Sequence, residues 1–217
     1  LPTIASFMAI HTGLLPHPNR AVATHFAQAT LPSLPVSLGK LGYQRHFFTA
    51  ADPSWDHQLF WLNRWYDTVT YDRTRETDAA LFAHLASWFH TELDRSRPFF
   101  ITAMTRSNHF PFHRIDGVET TGGDSLPERM TDTMRYTDAA MAKLLTDLSE
   151  AGLLDNTVVI ITGDHGFPFG EHGITKLWAT AHVESAGVPL VLWGNHPALR
   201  RRGRGLIDTI ASHIDIA

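Results

Sequence analysis

The sequence predicts an α/β fold, a doubly wound and mostly parallel sheet sandwiched by helices. Short runs rich in branched and aromatic residues recur at Tyr43 to Thr49, Pro98 to Met104, Val158 to Ile161 and Gly187 to Gly194, as buried strands do. Between them lie stretches whose apolar residues repeat at helical spacing, above all 77–93 and 129–151. Strands alternating with helices in this way form a layered α/β sheet. The 217 residues suffice for one domain with a substantial core, and the chain is read as a single domain over 1–217.

Residues Thr3 to Gly13 read as a short helix with Ile4, Phe7, Met8 and Ile10 on its apolar face. Leu31 to Leu41 suggest a second helix, closed by Gly42 before the first strand run. Asp52 to Asp67 is crowded with aromatics, and as an amphipathic helix it would bury Phe60, Trp61 and Trp65. In 77–93, Leu81, Phe82, Leu85, Trp88, Phe89 and Leu93 face the core. The strand at 98–104 runs into TRSNHFPFH, which puts His109 just past a strand end. The longest helix, 129–151, turns Met130, Met134, Met141, Leu144, Leu145 and Leu148 inward and ends at Gly152. Val158 to Ile161 then look like a fully buried strand of a parallel sheet.

The candidate chemistry sits at the end of that strand. Asp164 and His165 follow it in a Gly163-Asp164-His165-Gly166 turn, on the edge where open α/β sheets bind ligands. A carboxylate beside an imidazole offers a divalent cation one hard oxygen and one borderline nitrogen. The amino terminus of the helix at Thr3 offers free N–H groups to an anion. The alternative for Thr3 is an N-cap. Absence of cysteine excludes disulfides, zinc-thiolate sites and cysteine nucleophiles, and a net charge of -4 leaves no general nucleic-acid footprint. The basic run at 201–204 reads as an exposed turn, and no apolar run approaches the roughly 18 residues of a membrane span.

Gly163-Asp164-His165-Gly166 followed by Gly170-Glu171-His172-Gly173-Ile174-Thr175-Lys176 resembles the sulfatase-like branch of the alkaline phosphatase superfamily, which carries a DHG and then a GEHG-x-x-K. In sulfatases the nucleophile opens an eleven-residue stretch ending in Thr-Gly, and counting back from Thr12-Gly13 puts Thr3 there. Sulfatases need a Cys or Ser at that place, converted to formylglycine, with a Pro and an Arg behind it. Thr3 followed by Ile4, Ala5, Ser6 and Phe7 departs from that signature and is similar to the lipoteichoic acid synthase, phosphoglycerol transferase and phosphoethanolamine transferase relatives, in which an unmodified Thr attacks phosphorus. Asn108-His109-Phe110-Pro111-Phe112 fits the passage whose His binds substrate phosphate in those relatives. Trp61-Leu62-Asn63-Arg64 is one residue longer than their Trp-Asn-Arg element for phosphoglycerol.

The resemblance implies a phospho-group transferase or phosphodiester hydrolase that works through a covalent Thr3 intermediate. Asp164, His165 and the Thr3 oxygen would hold one divalent cation, Mn or Mg before Ca or Zn. Thr3, His109 and Lys176 would be catalytic, and Arg64, Trp61 and His172 would contact an anionic ester, a phospholipid or a glycan. A true sulfatase and a catalytically inactive anion-binding module of the same fold are the alternatives. By the same resemblance the chain is a piece truncated at both ends, lacking an upstream strand whose acidic residue completes the metal shell and a helix that would follow Leu206 to Ala217. The full-length protein would be membrane-anchored, with this domain on the extracytoplasmic face or in the periplasm; its oligomeric state is open.

Overall fold

The computed structural model describes residues 2–176, 182–203 and 205–217. In chain order its helices are α1 Pro2–Thr12, α2 Val22–His25, α3 Leu34–Lys40, α4 Gln58–Trp65, α5 Asp78–Thr91, α6 Leu126–Glu150, α7 Val183–Ala186 and α8 Pro197–Arg202. The strands are β1 Gln44–Thr49, β2 Thr68–Tyr71, β3 Phe99–Met104, β4 Val159–Thr162 and β5 Leu190–Trp193. Two compact units divide the chain, one of residues 1–34 with 149–217 and one of residues 35–148.

In the unit 35–148, β1 is the central strand of a parallel sheet ordered β2-β1-β3, with His46 opposite Thr68 on one side and Ile101 on the other. Successive residues of a strand face opposite ways, so β1 feeds two layers at once. Phe47 packs edge-on against Tyr66, 5.3 Å between centroids, while Phe48 and His46 meet Trp88 of α5 at 5.5 and 4.4 Å. Both Phe rings are buried, as are Trp61, Leu62 and Trp65 of α4 and Leu81, Phe82, Leu85, Trp88 and Phe89 of α5. Helices thus cover both faces of a parallel sheet, the architecture that the alternation of runs predicts. Thr77 caps α5, its side chain accepting from Ala80 N, so the start read at Thr77 is a capped one.

Two expectations need correction here. Met134 is 48 % exposed, because the first half of α6 turns Asp132, Thr133 and Thr137 inward instead. Trp61 is only 1 % exposed, its ring tilted against that of Trp65 with centroids 5.2 Å apart in the core, and offers a substrate no surface.

In the unit formed by 1–34 and 149–217, α1 carries the predicted apolar face. Ile4, Phe7, Met8 and Ala9 are buried, and Ile10 is half-buried. Pro2 opens the helix, where its missing N–H costs nothing. At the far end Gly13 takes φ 67 and donates to Ala9 O at 2.9 Å, a left-handed cap. Thr12 Oγ1 donates to Met8 O at 2.6 Å and His11 Nδ1 to Phe7 O at 2.7 Å. Burial pushes the His11 imidazole down to about 4, so it sits neutral inside the helix seat.

The strand at 159–162 is not the buried parallel strand its composition suggests. β4 pairs antiparallel with β5, Val159 opposite Trp193 and Thr162 opposite Leu190, and Ile160 and all four residues of β5 are 40–45 % exposed. A parallel partner requires a crossover that carries the chain back along the sheet. The segment between these two strands instead delivers β5 running the opposite way. An unbroken β-branched run suits either pairing, so the pattern could not decide the direction.

Candidate active site

Three of the candidate residues converge in the unit that holds α1 and β4. His165 Nε2 lies 3.3 Å from Thr3 Oγ1 and 3.4 Å from Asp164 Oδ2. The other ring nitrogen, Nδ1, lies 2.8 Å from Gly166 O, where only a donor can sit. Nδ1 therefore carries a proton, and in the neutral ring Nε2 presents its lone pair to the Thr3 hydroxyl. Asp164 Oδ1 accepts from His165 N at 3.0 Å, which turns Oδ2 towards the same point.

One nitrogen lone pair, one carboxylate oxygen and one hydroxyl oxygen thus face each other, a donor set 3.4 Å across at His165 and Asp164 that a cation between them would balance. Metal-binding imidazoles typically give their second N–H to a carbonyl, which fixes the ring and raises its basicity. The arrangement at His165 meets that requirement, and these residues fit a divalent cation. Thr3 lies in the first turn of α1, whose free N–H groups and positive dipole end favour an anion beside its hydroxyl.

The loop that carries the pair is held by groups the sequence did not single out. His213 Nε2 donates to Gly163 O at 2.9 Å, from a 3-10 turn at His213–Asp215 that Ser212 and Asp215 close as a capping box. Gly166 N donates to Ser185 O at 2.9 Å, and a Cβ on Gly166 would run into Glu184 O and stand 3.1 Å from Gly187 O. Only a glycine fits there. Gly166→Ala should cost about 1–3 kcal/mol, the range for overpacking a closed site. It should also shift the His165 ring whose Nδ1 is tied to the same residue. Urea denaturation and turnover, measured side by side, check both effects, and wild-type values in both would show that the loop yields freely.

Glu171 turns back to accept from Phe169 N at 2.7 Å, and contact with backbone amides holds its carboxyl below the usual range. His172 is exposed and hydrogen-bonded with Glu184 at 3.2 Å. Lys176 is exposed.

Arg64, Trp61 and His109 belong to the unit 35–148. Arg64 is exposed on α4, its guanidinium 5.2 Å from the Phe60 ring and 5.7 Å from the Trp61 ring, so the buried Trp61 supports a cation it does not itself share with solvent. His109 lies in the turn after β3, exposed, its Nδ1 donating to Phe110 O at 2.6 Å, which leaves Nε2 for a ligand. That turn hangs on Asp78, a residue the sequence did not mark. Asp78 is fully buried, and its Oδ1 accepts from Arg106 N at 2.8 Å and Ser107 N at 3.0 Å. Its Oδ2 accepts from Thr137 Oγ1, which in turn accepts from Asn108 Nδ2 at 3.2 Å. An Asp following an N-capping Thr looks in sequence like a dipole partner for its helix, and nothing local links it to a turn 28 residues on.

The family profile described as Sulfatase matches residues 2–217. Lipoteichoic acid synthase 1 of Bacillus subtilis is 29 % identical over 154 residues, 63 % of this chain and 24 % of that protein. Among solved structures, the lipoteichoic acid synthase LtaP from Listeria monocytogenes superposes with a TM-score of 0.79 at 18 % identity, over 99 % of this chain and 58 % of that one. The periplasmic domain of EptC from Escherichia coli, in complex with zinc, gives 0.70 at 17 % identity over 99 % of this chain and 66 % of that one. The chain spans about a quarter of the length of the curated relatives it matches. Among the described residues no helix is long and apolar enough to cross a membrane.

Proposed function

The chain belongs to the sulfatase family of the alkaline phosphatase superfamily, and from that premise we propose that it is the catalytic part of a metal-dependent phospho-group transferase or phosphodiester hydrolase with Thr3 as nucleophile. The observation that carries this reading is the Thr3 hydroxyl set 3.3 Å from His165 Nε2, beside Asp164 and at the start of a helix. A threonine cannot become formylglycine, and the chain has no cysteine, which favours phosphorus over sulfate esters. The substrate is taken to be a phosphoglycerol or phosphoethanolamine-type diester, or a related anionic ester of a lipid or glycan. The whole protein is taken to be membrane-anchored with this part outside the cytoplasm, a reading supported by the periplasmic location in the name of the EptC domain.

In the first step Thr3 Oγ1 gives up its proton and forms a bond to phosphorus, and the bond from phosphorus to the leaving alcohol breaks, the alcohol departing with a proton. In the second, an acceptor alcohol or water takes the phospho group from Thr3, which regains its hydroxyl. A divalent cation held by Asp164, His165 and Thr3 would lower the hydroxyl's pKa and neutralise phosphoryl charge, Mn or Mg being favoured by two oxygens and one nitrogen. The α1 N–H groups orient the phosphoryl oxygens. Lys176 supplies further positive charge.

The test is to quench the full-length protein during turnover of a nitrophenyl phosphodiester or phospholipid and map the adduct by mass spectrometry. The phospho group should sit on Thr3, and Thr3→Ala should lose both adduct and turnover. An adduct on Ser6, or full activity in Thr3→Ala, overturns the assignment, and metal binding with no adduct at all would leave an anion-binding module.

A further inference from the structure

The unit that holds Thr3 gathers a second set of donors that the proposed reaction does not use. His172 Nε2 lies 3.2 Å from Glu184 Oε1, and the His172 and His182 rings stack with centroids 4.4 Å apart and planes 21° from parallel. One donor atom from each of the three residues falls within 4.8 Å of the others. Arms of about 2.0–2.2 Å to nitrogen and oxygen put neighbouring ligands of a tetrahedral ion roughly 3.3–3.5 Å apart. The separation of His172 and Glu184 already approaches that edge, and rotation of the exposed His182 ring closes the rest. An ion pair alone would explain His172 with Glu184. The second imidazole, stacked on the first, lies outside that pair and brings a third donor to the same place.

We propose that His172, His182 and Glu184 bind a zinc-class divalent cation, separate from the cation at Asp164 and His165. Two nitrogens and one oxygen suit zinc better than Mn or Mg, and a three-residue set leaves a fourth position for water or an anionic oxygen.

The backbone on both sides is built to hold these side chains in place. His172 adopts φ 56 between Gly170 at φ 116 and Gly173 at φ 71, with the Glu171 carboxylate folded back on Phe169 N at 2.7 Å. Glu184 lies in the first turn of α7, and its carbonyl is the group that excludes a side chain from Gly166. Zinc here ties the turn at 170–173 to the strand-end loop that carries His165, so its occupancy sets how firmly that loop is held.

The experiment counts metals by plasma mass spectrometry on the full-length protein, stripped with chelator and reloaded with zinc and manganese. Asp164→Ala should retain roughly one zinc per chain, while His182→Ala and Glu184→Gln should each lose roughly one zinc and keep their manganese. Cobalt substitution gives a second reading: the visible band of a tetrahedral ion should be present in Asp164→Ala and gone in the Asp164→Ala/His182→Ala double variant. Circular dichroism keeps the comparison to folded protein. Zinc content in His182→Ala equal to wild type, or no zinc in folded Asp164→Ala, overturns the proposal. Loss of manganese binding in the wild type would count against the Thr3 site and leave this one standing.

Discussion

Asp164→Ala should strip manganese from the enzyme and lower turnover by roughly 10³-fold or more, beyond the roughly 10²–10³ that removal of one transition-state donor costs. The carboxylate has two tasks in the structure, since Oδ1 accepts from His165 N and Oδ2 faces His165 Nε2. Asp164→Asn separates them. The amide keeps an oxygen for the His165 N–H but no charge for a cation, so it should preserve the loop and still lose most of the metal affinity. Manganese titration with turnover measured on the same samples checks the prediction. Unchanged affinity in Asp164→Ala would mean that the cation is held elsewhere.

Asp78→Ala should destabilise the protein by about 3–5 kcal/mol, because it leaves two part-buried backbone N–H groups and a buried hydroxyl without their acceptor, at about 1–3 kcal/mol each before relaxation. For a chain of this length that corresponds to a fall in Tm of roughly 10 °C. The Arg106 and Ser107 amides that Asp78 fixes form the turn that presents His109. Asp78→Asn, which retains one acceptor, should lie between the two. Calorimetry settles the stability effect, and an Asp78→Ala protein that melts with the wild type would show the turn to be held by other bonds.

The two positions also mark how far the sequence could be read. Asp164 was legible because its neighbours name it: an apolar run stops, glycines flank it, a histidine follows, and the chain needs no distant partner to bring the pair together. Asp78 was not, since its meaning comes from amides 28 residues on and from Thr137 on another helix. Helices with an apolar stripe, such as 77–93, were readable for the same local reason, and the inward stripe of α6 failed where a buried hydrogen-bond network displaced it at Asp132, Thr133 and Thr137. Trp61 illustrates a third limit: a tryptophan beside an arginine suits a binding surface and a core equally, and only packing against Trp65 decides. The direction of β4 depended on its partner, which an apolar run does not encode.

Two glycine contacts bracket the β4–β5 ladder. At one end a side chain on Gly194 would strike Thr157 O, and at the other a side chain on Gly166 would strike Glu184 O. Between these clamps the four pairs from Val159 with Trp193 to Thr162 with Leu190 leave no room for slippage. A shift by one residue would carry Asp164 along by roughly 3.3 Å and reverse the face of every side chain in the strand. In terms of descent, gains and losses of residues are barred from the stretches 157–166 and 184–194. The strand ends that set the reacting atoms are thus locked in register.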